Sequence, residues 1–172
     1  EMSQATLTDR PYVNSNLFSG HYLDTRLRER EEWDCDEAAT EALAELRTLY
    51  DLEGELAPGY GEDALIDNWI GEVLEILGFG SQEEVTLPGG GGFVDELLFG
   101  SSSDRRDAAG VYLETEDTTD LFERGIGLVE AKQWDADFTA RFSEQRPYRN
   151  ASHQIKHYLE NTPANIQWGI LT

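Results

Sequence analysis

At 172 residues, the chain has the length of one domain with a substantial core, and 39% hydrophobic and 10% aromatic content exclude a disordered chain. No apolar run approaches the roughly 18 residues of a membrane span, no signal-peptide pattern opens the sequence, and the lone Cys35 excludes an intrachain disulfide or a cysteine zinc site. A cytoplasmic protein with no membrane partner is expected, although a net charge of −22 argues, taken alone, against a polyanionic partner.

In chain order, the first dozen residues read as a frayed terminus. Residues 14–33 then predict a helix with an apolar stripe of Leu17, Tyr22, Leu23 and Leu27. Leu43, Leu46, Leu49 and Tyr50 predict a second helix over 36–52, ended by Gly54, Pro58, Gly59 and Gly61. A third helix over 62–77 carries a broad apolar face, Leu65 to Leu77, and Gly78 is placed to stop it. The period then changes: 84–87 and 93–99 read as a hairpin about Pro88 and Gly89 to Gly92. Residues 100–120 give no clear period, and 119–124 reads as a helical turn. A strong strand over 126–132, a loop to Pro147, a helix over 151–160 and a strand over 166–171 complete the chain. This order predicts an α/β (α+β) fold with a mixed four-stranded sheet flanked by helices and preceded by a helical extension. The last strand stops at Thr172 without a closing loop, so a fragment of a longer protein is expected.

The charge is unevenly spread. Residues 1–131 hold 31 acidic and 8 basic side chains, whereas 132–172 hold 4 and 5. Only Lys132 and Lys156 are lysines, and excess acid with scarce lysine is the composition of a protein adapted to high salt. At about 1 M salt the Debye length falls to roughly 3 Å, which removes most of the long-range repulsion from DNA. A nucleic-acid surface would lie in the C-terminal quarter, where Arg141, Arg146, Arg149 and Lys156 interleave with Phe142, Tyr148 and Tyr158. The same cluster also reads as a salt-bridged surface.

Phosphodiester hydrolysis needs a cation to stabilise developing charge and a water held in line. Mg²⁺ prefers oxygen ligands and takes one or two protein carboxylates. Asp95 lies in one predicted strand, and Glu130-Ala131-Lys132 ends another. In an extended strand Glu130 and Lys132 project to one side, while Ala131 turns inward and leaves its carbonyl available to a metal.

Asp95 followed by Glu130-x-Lys132 resembles the PD-(D/E)xK nuclease superfamily. Gln154 to Tyr158 resembles the Q-x-x-x-Y motif that follows the nuclease motif in type I restriction subunits, and Gln154 and Tyr158 share one helix face. Leu17-Phe18-Ser19-Gly20-His21-Tyr22-Leu23, Leu77-Gly78-Phe79, Glu130-Ala131-Lys132 and Trp168-Gly169-Ile170-Leu171-Thr172 together resemble the N-terminal nuclease region of single-chain restriction-modification enzymes of types IIG and IIL. The similarity runs from about Asn14 to Thr172. Two departures stand out: Val94 replaces the usual proline, and the long interval from Asp95 to Glu130 implies an insertion.

The resemblance implies a restriction-endonuclease-like core over 61–172, a helical extension over 1–60, and Mg²⁺-dependent (or Mn²⁺-dependent) cleavage of double-stranded DNA. Asp95, Glu130 and the Ala131 carbonyl would bind metal, and Lys132 would position or deprotonate water. Gln154 would support the site, and Gln154, Tyr158, Lys156, Arg149 and Arg146 would meet DNA. Glu62 either assists catalysis or favours the positive end of its helix. S-adenosylmethionine would belong to a methyltransferase part that the chain lacks, so DNA methylation is not expected. A nuclease fold kept only for DNA binding or protein interaction is the alternative.

Other features read more simply. Gly89 to Gly92 lack the Gly-Lys-Ser/Thr of a phosphate loop. His153 and His157 lack a zincin glutamate and read as exposed helical residues. Trp33, Trp69, Trp134 and Trp168 are expected in the core or partly buried.

Overall fold

The structure, a computed structural model, describes residues 18–172. The chain divides into two units, Glu1–Glu41 and Ala42–Thr172. In the first, a π turn (Tyr22–Arg26) and two 3₁₀ turns (Leu27–Glu29 and Glu31–Trp33) replace the single helix expected over 14–33, whose first four residues lie outside the described part. Arg30 is extended at φ −87° and ψ 140°, and no residue of the three turns is buried. Charged residues from Arg26 to Glu32 supply no apolar stripe to anchor a longer helix. Helix α1 (Asp36–Glu53) follows.

The second unit is built on a four-stranded mixed sheet in the order β1 (Gly80–Thr86), β2 (Phe93–Phe99), β3 (Gly127–Glu130), β4 (Trp168–Leu171). β1–β2 and β2–β3 are antiparallel, and β3–β4 is parallel. α2 (Glu62–Leu65), a π turn (Ile66–Ile70) and α3 (Gly71–Ile76) run without a break. Gly78, at φ 89°, ends the segment, and Phe79 N donates to Leu74 O at 3.0 Å in a Schellman-type stop. The stretch with no clear period folds as α4 (Ser102–Thr115) and α5 (Thr118–Arg124). α6 (Ala151–Glu160) provides the crossover between the two parallel strands.

All four residues of β3 are buried, as expected of a strand covered on both faces. Leu97, Phe99 and Leu128 pack with Ala108 of α4, Leu121 and Phe122 of α5 and Tyr158 of α6. Leu98, Val129 and Ala131 pack with Leu65, Ile70 and Leu74 of the α2–α3 segment. Trp33, Trp134 and Trp168 are 47%, 41% and 59% exposed, against the expectation of burial, and only Trp69 is partly buried. Trp69 instead makes edge contacts with Tyr50 and Trp134. Among the described residues, no helix is long and apolar enough to cross a membrane.

Candidate active site

Strand alternation breaks where the site begins. Val94 and Leu97 enter the same core cluster, although residues three apart on a regular strand face opposite sides. Across the hairpin, Glu84 holds a left-handed φ of 49°, and the Glu84–Asp95 position is missing from the ladder between the Glu83–Glu96 and Val85–Val94 pairs. The distortion frees Asp95 from pairing with β1. Its Oδ2 accepts the backbone N–H of Ala131 at 2.7 Å, which joins β2 to the end of β3.

β3 delivers the other groups. Its register, with Glu96 opposite Val129, brings Glu130 level with Asp95. Lys132 N donates to Thr172 O at 2.7 Å, so the chain stays extended past β3 and Glu130 and Lys132 project together. Lys132 Nζ lies 2.7 Å from both Glu130 Oε1 and Ala131 O, and 3.8 Å from Glu62 Oε2 at the start of α2. Asp95, Glu130, Ala131, Lys132 and Glu62 thus meet from three elements.

α6 closes the site from the other face. Asn150 caps it by accepting from His153 N at 3.0 Å. One turn in, Gln154 is 5% exposed, and its Nε2 donates to Glu130 Oε1 and, at 2.9 Å, to the Tyr158 hydroxyl. The Tyr148 hydroxyl lies 3.3 Å from that of Tyr158, extending the network toward the surface. Tyr148 entered the sequence reading only as an aromatic of the basic quarter, because a contact between loop and helix leaves no periodic signal. Gly92 is needed beside this chain: a Cβ there would lie 3.3 Å from the Tyr158 ring.

The remaining basic candidates stand apart from this network. Arg146 pairs with Glu144 at 2.9 Å and lies 4.9 Å over the Phe142 ring. Exposed Lys156 pairs with Glu160 at 3.6 Å. Arg149 is exposed, and its backbone carbonyl accepts from Phe142 N at 2.8 Å. Tyr158 is buried, so its hydroxyl serves Gln154.

Burial dominates the electrostatics. It raises the Glu130 carboxyl to about 7 against the opposing Lys132 hydrogen bond, and it raises Asp95 against the Ala131 N–H. It also lifts the Tyr158 hydroxyl. Glu96, the neighbour of Asp95 on β2, is 1% exposed and likewise raised to about 7 by burial, with the Ser81 hydroxyl opposing. Glu96 sits inside an apolar run, so no sequence motif marks it.

The donor set suits a hard divalent cation. Asp95, Glu130 and the Ala131 carbonyl offer only oxygen, and Glu130 Oε2 is buried without a hydrogen-bond partner. Among the described residues no three His, Cys, Asp or Glu side chains are grouped to share a metal. A Mg²⁺ site of two carboxylates, a carbonyl and waters requires no such group. The ammonium of Lys132 now lies against two of these oxygens, as a cation would. Compared with family models, curated proteins and solved structures, the chain matches none.

Proposed function

We propose that Asp95, Glu130, Ala131 and Lys132 form a Mg²⁺-dependent DNA endonuclease site of the PD-(D/E)xK type, in a restriction-endonuclease-like core belonging to a restriction-modification enzyme. The convergence of Asp95, Glu130 and Lys132 at one end of β2 and β3 carries this reading. Asp95, Glu130 and the Ala131 carbonyl would hold a divalent cation, which would supply Lewis-acid stabilisation of charge developing on the phosphate. Lys132 Nζ, beside Glu130, hydrogen-bonds and orients the attacking water. Gln154 fixes the Glu130 carboxylate, and Tyr158 fixes Gln154. Glu62 contributes negative charge near Lys132 from the mouth of the site. Exposed Arg149 furnishes phosphate contacts, as do Arg146 and Lys156 once DNA displaces Glu144 and Glu160.

The test is nicking of supercoiled double-stranded plasmid by the protein with Mg²⁺ or Mn²⁺, stopped by chelator and by Lys132→Ala. Cleavage that survives Lys132→Ala overturns the reading. An inert nuclease-fold module for DNA binding or protein interaction is the second reading, favoured by the net charge of −22 and by the hold of Lys132 on Glu130 and Ala131. Calorimetric Mn²⁺ titration separates the two: binding that depends on Asp95 supports the enzyme, and no binding supports the module.

A further inference from the structure

A second polar site lies between the α2–α3 segment, the β1–β2 hairpin and α4. It is a cavity of about 300 Å³ lined by Gly71, Ser81, Glu83, Glu96, Arg105 and Arg106 among others. Glu96 forms its floor. The side chain is 1% exposed, Oε2 has no hydrogen-bond partner, and Oε1 is oriented toward Gly71, where a Cβ would stand 3.9 Å away.

Two features show that the floor is incomplete without a ligand. Glu83 and Glu96 are directly paired across the antiparallel strands, and like charges facing each other there are destabilising. The buried carboxyl oxygen also lacks a donor, which costs about 1–3 kcal/mol in general. The helical wall adds Asp67, Glu72 and Glu75, so a positive group is wanted on that side. On the opposite wall, α4 supplies Arg105 and Arg106, and neither enters an ion pair among the described residues. Acid and base therefore line one cavity without meeting.

A bare metal fits this poorly, since no three acidic side chains among the described residues are grouped tightly enough to share one. A molecule carrying both charges spans the gap. The volume lies at the low end for small-molecule sites, which suits an amino-acid-sized ligand rather than a nucleotide. We propose that the cavity binds a small zwitterion, with a primary ammonium group donating to Glu96 and Glu83 and a carboxylate facing Arg105 and Arg106. This site is separate from the nuclease reading and does not depend on it.

The test titrates the protein with glycine, β-alanine and 4-aminobutyrate, and with methylammonium and acetate as half-ligands, following the amide NMR signals of Gly71 and Ser81. A saturable shift is expected with one of the zwitterions, at least tenfold tighter than with either half-ligand. Glu96→Gln, nearly isosteric, should weaken it at least tenfold while the remaining spectrum stays folded. Exposed Glu83→Gln, which cannot threaten the core, should weaken it severalfold. No saturable shift, equal binding of methylammonium, or unchanged binding in both variants would overturn the proposal. Binding that emerges only in Arg105→Ala would overturn it too, because Arg105 would then be the internal partner of Glu96.

Discussion

Gln154 donates a side-chain hydrogen bond to Glu130 Oε1 across 24 residues of sequence, tying α6 to the end of β3. The same nitrogen donates to Tyr158, so the helix fixes the orientation of a carboxylate that burial disfavours as an anion. Gln154→Ala should weaken Mn²⁺ binding and cleavage about 10- to 100-fold, the usual effect of losing a group that orients a metal ligand. It should also destabilise the fold by about 1–3 kcal/mol, because Glu130 loses a buried donor. Calorimetry and denaturant unfolding measure the two effects separately.

Asp95 has two separable duties. Its Oδ2 accepts the Ala131 N–H, and its charge belongs to the proposed metal site. An asparagine keeps a carbonyl oxygen for the N–H but has no charge. Asp95→Asn should therefore hold melting within about 1 kcal/mol of the parent, since the buried acceptor is retained, while Mn²⁺ affinity falls at least about tenfold. An equal loss of both would make Asp95 a purely structural residue.

Glu96 should leave a pH signature in stability. Burial raises its carboxyl from 4.5 to about 7 in the folded protein, so the folded state binds the proton more tightly than the unfolded chain. That contribution is fully present below pH 4.5 and is lost as pH rises through about 7. At about 1.4 kcal/mol per unit, the loss amounts to a few kcal/mol. Glu96→Gln, always neutral, should be more stable than the parent at pH 8 and close to it near pH 4.5. Urea unfolding across this range in metal-free buffer checks the difference.

Helix α4 opens on a side-chain cap. Ser101 Oγ accepts from Asp104 N at 3.1 Å, and Ala108 is the only buried residue of the helix. Ser101→Ala should cost about 1 kcal/mol. Circular dichroism melting should register the loss, and Ser101→Thr, whose hydroxyl still accepts from Asp104 N and donates to Asp104 Oδ2, should restore most of it.

The cap also explains what the sequence left unread. α6 over 151–160 was legible because burial imposes a helical period on its apolar residues, and β2 over 93–99 because a short apolar run follows the glycine-rich turn. α4 buries one alanine and so carries no such period; its signals are Ser101 and Asp117, which caps α5 by accepting from Thr119 N, and Glu116 in the left-handed conformation between the two helices. The common face of Glu130 and Lys132 followed from strand spacing, whereas the approach of Asp95 to them was expected only from the resemblance. The broken alternation at Glu84 and Asp95 did not, since it depends on a backbone distortion across the hairpin. Glu96 was hidden for the opposite reason: a buried acid in an apolar strand looks locally like any solvent-facing position.

Plasmid cleavage by the Lys132→Ala variant tests the central claim most directly. Lys132 meets Glu130 Oε1, Ala131 O and the edge of Glu62, and the proposed chemistry needs its ammonium beside the attacking water. With Mg²⁺ present, the parent should nick supercoiled DNA, and the variant should be at least about 100-fold slower, with Mn²⁺ binding retained. Cleavage at the parental rate by a folded Lys132→Ala protein would contradict the account.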